Sequence, residues 1–229
     1  MKKILVIAAH PDDEVLGCGG TIVKHVRNGD EVHVLILAEG IASRNNVKDA
    51  ETSREDITKL KNAANEAHSI LGSSSIKLMD FPDNRMDSVD LLDVIKVVEN
   101  EINHKKPEII YTHHHSDLNI DHRITHQAVI TACRPEPGAI VKKIYCFEVP
   151  SSTEWQAPMA EVPFIANTFV DISKTIDKKL SALKAYSSEM KPWPHSRSIK
   201  AVEHLSRWRG ASAGFEAAEA FVLTKNLLI

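Results

Sequence analysis

An α/β fold, with a mostly parallel sheet flanked by helices, is the class this sequence predicts, and three features predict it. Strand-like and helix-like periods alternate through the first two thirds of the chain. The first apolar run, Ile4–Ala9, is continuous rather than alternating, as suits a strand buried on both faces. Two dense polar clusters, His10-Pro11-Asp12-Asp13-Glu14 and His113-His114-His115-Ser116-Asp117-Leu118-Asn119-Ile120-Asp121-His122, each follow an apolar run. Those are the strand ends at which parallel sheets bind ligands.

The elements follow in order. After the strand over 4–9 and its acidic turn, Gly17-Cys18-Gly19-Gly20 opens a segment with Ile22, Val23 and Val26 at helical spacing, stopped by Asn28-Gly29. Residues 31–38 alternate and then fill in as a second strand. Residues 49–71 set Ile57, Leu60, Ala64, Ala67, His68 and Leu71 at helical spacing, with capping groups over 49–53 and a stop at Gly72. A short strand over 76–79, a loop over 80–85 and an amphipathic helix over 89–102 come next. A strand over 107–112 leads to a helix over 124–133 that ends before Pro135. Strands over 141–149 and 166–172, a helix over 176–186 and a strand over 221–228 complete a Rossmann-like plan without internal repeats or low-complexity tracts.

The 229 residues suffice for one full core, and no linker-like segment interrupts them, so a single domain over 1–229 is expected. Composition is ordinary for a globular chain, at 43% hydrophobic and 26% charged. The net charge of -3 argues against a nucleic-acid or anionic-membrane partner, either of which selects a basic face. Cys18, Cys133 and Cys146 are too few and too scattered for a disulfide framework or a thiolate zinc site, which points to a reducing compartment. Met1-Lys2-Lys3 and the short apolar run behind it fit neither a signal peptide nor a membrane span. A cytoplasmic location is expected.

Massing an imidazole and three carboxylates at the mouth of a buried strand costs stability unless a cation or a proton relay uses them. His10 and Asp13, three apart on a tight turn, can aim at one point, while Asp12 between them is directed elsewhere and is free to act as a base. The further ligand comes from the second cluster: His122, or, one helical turn on, His126 in a His122/His126 pair. Neutral imidazole and carboxylate suit zinc, whose catalytic sites take three protein ligands and leave a position for water. A metal beside an unligated carboxylate is the equipment for hydrolysing an unactivated carbonyl compound, an amide or ester above all.

Plainer readings stand beside these. Asp12, Asp13 and Glu14 also suit the N-terminus of a helix for dipole reasons alone. The glycine run lacks the spacing of a dinucleotide fingerprint and reads as close packing between helix and sheet. Alternation makes the His113–His115 triplet a strand end with one inward and two solvated side chains. Lys191–Arg197 is turn-rich and either serves as a substrate lid or packs Trp193 on the core.

The two clusters resemble the motifs of the PIG-L/LmbE-type zinc-dependent N-deacetylases, Ala-His-Pro-Asp-Asp-Glu and a short polar run ending in Asp-His before a helix. They stand here as Ala9–Glu14 and Asp117–Arg123, supported by Phe81-Pro82-Asp83-Asn84-Arg85 and by the late Arg209-Gly210 and Ala218–Phe221 segments, so the resemblance spans nearly the whole chain. It implies that His10, Asp13 and His122 bind Zn2+, with another divalent ion such as Fe2+ as the competitor, and that Asp12 is the general base for the metal-bound water. Where many members carry an oxyanion-stabilising histidine, this chain has Asn119, so either its amide or an imidazole from 113–115 takes that role. Asp121 is expected to orient an imidazole, and Arg54, Arg85 and His115 to contact substrate.

The implied reaction removes an N-acetyl group from an N-acetylglucosamine-type amino sugar or glycoconjugate. The alternatives are another amide or ester metabolite, or a non-enzymatic metal-binding protein. The expected partner is a small amino-sugar substrate, with no nucleic acid and no membrane span, and with homo-oligomerisation left open.

Overall fold

The apolar runs become the centre of a seven-stranded sheet in the computed structural model, which describes residues 1–40, 50–157 and 163–228, the side chains of 50–54 excepted. The strands are β1 (Lys3–Ala8), β2 (Glu31–Ala38), β3 (Ser75–Phe81), β4 (Ile109–His113), β5 (Lys143–Phe147), β6 (Thr168–Asp171) and β7 (Ala218–Asn226). The helices are α1 (Asp13–Arg27), α2 (Ala50–Leu71), α3 (Leu91–Lys105), α4 (Ile120–Ala132), α5 (Ile176–Ala185) and α6 (Ile199–Ala211), with 3-10 turns at Met86–Ser88 and Thr153–Trp155.

The strand order is β3-β2-β1-β4-β5-β7-β6. β1 to β5 pair in parallel, and β7 runs antiparallel to both β5 and β6. The chain therefore winds outward in one direction from β1 to β3 and in the other from β4. Such a switch point leaves a crevice at the carboxyl ends of β1 and β4, where both polar clusters emerge.

Alternation along β1 divides the core. Ile4, Val6 and Ala8 pack with residues of α1, α2 and α5, whereas Leu5 and Ile7 pack with residues of α3 and α4. All five side chains are fully buried, as a central parallel strand requires.

Helix α1 begins at Asp13, inside the acidic turn, earlier than its apolar spacing indicates. It breaks at Cys18 (φ -147°, ψ 22°), so the segment expected to open at the glycine run is its second half. A Cβ on Gly17 would come within 2.3 Å of the Phe147 ring, which makes the glycine a requirement of helix-to-sheet contact. Helix α6 has no counterpart in the sequence reading. Its buried residues are Val202, Ser206 and Gly210, while Trp208 is exposed, so its inner face carries no apolar stripe. Among the described residues no helix is long and apolar enough to cross a membrane.

Candidate active site

β1 and β4 lie side by side, so the loops that leave them bring residues more than a hundred positions apart into one cluster. His10 Nδ1, Asp13 Oδ2 and His122 Nε2 form a triangle with edges of 3.2, 3.3 and 3.1 Å. Donors about 2.0–2.2 Å from a tetrahedral cation lie roughly 3.3–3.5 Å apart, so the triangle has the dimensions of three corners of such a site. Two imidazole nitrogens and one carboxylate oxygen suit a borderline divalent ion. Asp13 Oδ1 is buried without a hydrogen-bond partner, an uncompensated position that a nearby cation would relieve.

His10 bridges two groups. Its Nε2 lies 3.0 Å from Asp121 Oδ2 and 3.2 Å from Asp83 Oδ1, so His10, Asp83 and Asp121 form a second cluster of ligand type. A neutral imidazole that gives its Nε2 proton to a carboxylate keeps the Nδ1 lone pair for a metal, which assigns Asp83 and Asp121 the hydrogen-bonding role. Asp121 is itself fixed by the backbone N–H groups of Asn84 and Met86, at 2.6 and 3.0 Å. His122 faces a carboxylate too: its Nδ1 lies 3.1 Å from Asp117 Oδ1, within ion-pair distance. Asp117 in turn accepts from the Ser152 hydroxyl and, at 2.6 Å, from the Thr153 hydroxyl.

Asp12 is 1% exposed and adopts φ 107°, a left-handed conformation that costs a non-glycine residue about 1–3 kcal/mol. Glu14 helps hold it there. Its Oε2 accepts the Asp12 N–H at 3.1 Å, and its Oε1 accepts from Tyr186 and from His68 at 2.8 and 3.1 Å. Arg197, from the segment before α6, reaches Asp12 Oδ2 at 3.2 Å and donates from Nε to Ser151 Oγ at 2.9 Å.

These neighbours set the protonation states. Burial pushes the Asp12 carboxyl well above the usual carboxylate range, against the pull of Arg197. Burial alone would raise Asp13 and lower both histidines. The charges and hydrogen bonds they share outweigh it, holding Asp13 well below the usual range and lifting His10 to about 10 and His122 to about 9 in the ion-free protein.

The other expected positions fall at varying distances from this cluster. Asn119 caps α4 by accepting the Asp121 N–H at 2.8 Å and donates to Asn84 Oδ1 at 2.8 Å, so both ends of its amide are engaged within the protein. His126 Nδ1 points to the His113 carbonyl oxygen at 2.9 Å, and His126 belongs to neither ligand cluster. His115 is exposed, with its ring beside His114 and His126. Arg85 is exposed on the loop that also carries Asp83 and Asn84. Arg54 lies on α2, and its side chain falls outside the described residues.

The histidine triplet departs from simple alternation. His113 and His114 are both buried, because β4 ends at His113 and the period ends with it. His113 Nε2 accepts the Ala9 N–H at 2.8 Å, and its ring stacks on His122 at 3.9 Å. Sequence reasoning assigned no role to Asp83, Asp117 or Arg197. The first two lie inside motifs it had singled out, and Arg197 closes the turn-rich Lys191–Arg197 segment, 185 positions from its partner.

The chain is similar to several known proteins. A family model described as PIG-L, GlcNAc-PI de-N-acetylase, matches residues 5–133, the stretch that carries both clusters. The Bacillus cereus protein named "Probable N-acetyl-alpha-D-glucosaminyl L-malate deacetylase 2" is 27% identical over 82% of this chain and 84% of its own length. A 4-oxalmesaconate hydratase of Pseudomonas putida is 28% identical over 85% of this chain and 76% of its own. The structure of N,N'-diacetylchitobiose deacetylase from Pyrococcus horikoshii superposes with a TM-score of 0.78 at 20% identity, covering 98% of this chain and 84% of that one.

Proposed function

The chain belongs to the PIG-L, GlcNAc-PI de-N-acetylase, family, and from that premise we propose that it is a metal-dependent N-deacetylase of N-acetylglucosamine-type amino sugars. The observation that carries the reading is the 3.1–3.3 Å donor triangle with the buried, unligated Asp12 carboxylate next to it. His10, Asp13 and His122 would hold the ion, zinc by donor chemistry with Fe2+ as competitor. When bound, the ion supplies Lewis acidity, polarising a carbonyl oxygen and lowering the pKa of a water.

The chain's own residues do the rest. Asp121 and Asp117 fix the two imidazoles from behind, so that His10 Nδ1 and His122 Nε2 keep their aim. Asp12 takes a proton from the attacking water at its carboxylate and passes it to the leaving nitrogen. Burial, which raises the carboxyl pKa, favours its holding that proton between the two steps. Arg197 holds the carboxylate by donating to Asp12 Oδ2. Both expected oxyanion donors are engaged within the protein, Asn119 as a cap and His113 through Nε2, which accepts the Ala9 N–H.

The relative named as a hydratase favours a second reading, in which the same cluster activates water for addition to a carbon–carbon double bond. Zinc-loaded protein offered a panel of acetylated amino sugars and of unsaturated dicarboxylic acids separates the two. Acetate release is expected, and Asp12→Asn is expected to lower turnover on the order of 10²–10⁴-fold with metal content unchanged. Zinc-loaded protein that releases no acetate, or an Asp12→Asn variant as fast as its parent, would sink the deacetylase reading.

A further inference from the structure

A second pair of imidazoles, outside the His10–Asp13–His122 cluster, has the spacing of ligands to one ion. The His10 and His122 rings, which carry two corners of the donor triangle, lie 5.3 Å apart between centroids and are tilted by 48°. The rings of His115, two residues past β4, and His126, on α4, lie 5.7 Å apart and are tilted by 49°. An ion about 2.0–2.1 Å from an imidazole nitrogen sits roughly 3.2 Å from the ring centre, so two rings at a tetrahedral angle have centres roughly 5.2 Å apart. The second pair exceeds that spacing by about half an ångström, and His115 is exposed, with room to close the difference.

Hydrogen bonding sets where the lone pairs stand. The neutral His126 ring donates from Nδ1 to the His113 carbonyl oxygen at 2.9 Å, which leaves its Nε2 lone pair for a metal. Burial, with repulsion from His115, lowers the His126 pKa and so favours that neutral ring. His115 meets the described residues through its ring, against His114 and His126, so its nitrogens remain available. His114 is not a third ligand: its Nδ1 accepts the Ser116 N–H, and the proton of the neutral ring therefore stands on Nε2. His115 and His126 line a surface depression of about 480 Å³ together with Ile120, Ile124, Gln127 and Ile130. Its described lining holds no carboxylate, and the guanidinium of Arg123 at its edge is turned to the carbonyl oxygens of Asp117 and Leu118. Imidazole without carboxylate selects against Mg2+ and Ca2+ and in favour of Cu2+, Ni2+ and Zn2+.

We propose that His115 and His126 form an accessory site for an imidazole-binding divalent ion, held by two protein ligands and completed by water. It shares no residue with the His10–Asp13–His122 cluster and does not depend on which reaction that cluster runs. Two neutral ligands with no charge to offset the ion make it the weaker of the two sites.

Equilibrium dialysis of the full chain against Zn2+ tests it. The protein is expected to hold one tight equivalent and a second bound at least ~10-fold more weakly. His115→Ala and His126→Ala are each expected to abolish the second equivalent and keep the first, while His122→Ala is expected to do the reverse. Because His115 is exposed, its replacement leaves the core untouched and decides the question even where His126→Ala does not fold. A parent protein that saturates at one equivalent, or a second equivalent that survives His115→Ala, would overturn the site.

Discussion

Two charged clusters in this protein are both largely buried and are built on opposite principles. At the β1–β4 crevice, His10, Asp13 and His122 crowd their donor atoms into one triangle, leave Asp13 Oδ1 unpaired, and adjoin Asp12 in a strained conformation. Between α1, α5 and β7, Lys179 and Glu219 are each about 3% exposed and nothing is left over. Glu219 accepts from Gly20 N, Thr21 N and Lys179 Nζ at 2.9, 2.7 and 2.6 Å, while Lys179 also donates to the Leu16 carbonyl oxygen at 2.8 Å. Glu219 thus supplies the anion at the start of the second half of α1, just past the break at Cys18. A satisfied buried pair holds a helix in place, whereas a cluster that satisfies itself only with a further charge is one built to receive it.

The largest effect expected from breaking this comparison lies on the satisfied side. Lys179→Met leaves Glu219 buried opposite no cation and is expected to cost about 3–5 kcal/mol of stability. Denaturant unfolding measures the loss, and zinc bound per folded molecule is expected to stay the same. A variant that loses metal before it loses stability would show the pair to be part of the site.

On the other side the expected loss is in affinity. Asp117→Asn keeps a side chain able to contact Ser152 and Thr153 but removes the charge behind His122. Zinc affinity is expected to fall roughly 10–100-fold with little change in unfolding midpoint, as read by competition with a chelator. An unchanged affinity would place the orientation of His122 in its stacking on His113 rather than in Asp117.

How much of this was legible in the sequence follows the same division. β1 and β2 were readable because an unbroken apolar run has one use in an α/β protein, and His10, Asp13 and His122 because their residue types are costly to bury without a purpose. Helix α6 was not, since its inward face is Val202, Ser206 and Gly210, small residues that close contact selects and periodicity overlooks. Asp117 lay inside the second cluster, but its value depends on Ser152 and Thr153, brought up by the chain after β5. Asn119 was legible as a polar residue at a helix start. Its capping bond to Asp121 N and its bond to Asn84 appear only once that loop is folded.

The smallest expected effect fixes the pH range in which the comparison is clean. His114 lies outside both clusters, and its Nδ1 accepts from Ser116 N and lies 3.0 Å from the Ser116 hydroxyl, which favours the neutral ring. Burial, with repulsion from His115 and His126, lowers its pKa from 6.5 to about 4. Below pH 6.5 the unfolded chain therefore takes up this proton before the folded one does, so stability is full above that pH and falls as pH drops toward 4. After allowance for solvent screening the loss is on the order of 1–2 kcal/mol. Unfolding midpoints followed from pH 7.5 to 4 are expected to show it, and His114→Asn is expected to flatten the acid limb without altering zinc affinity at pH 7.5. An acid limb unchanged in His114→Asn would move the titration to the metal cluster, and the two clusters would then differ in acid sensitivity as well as in hydrogen bonding.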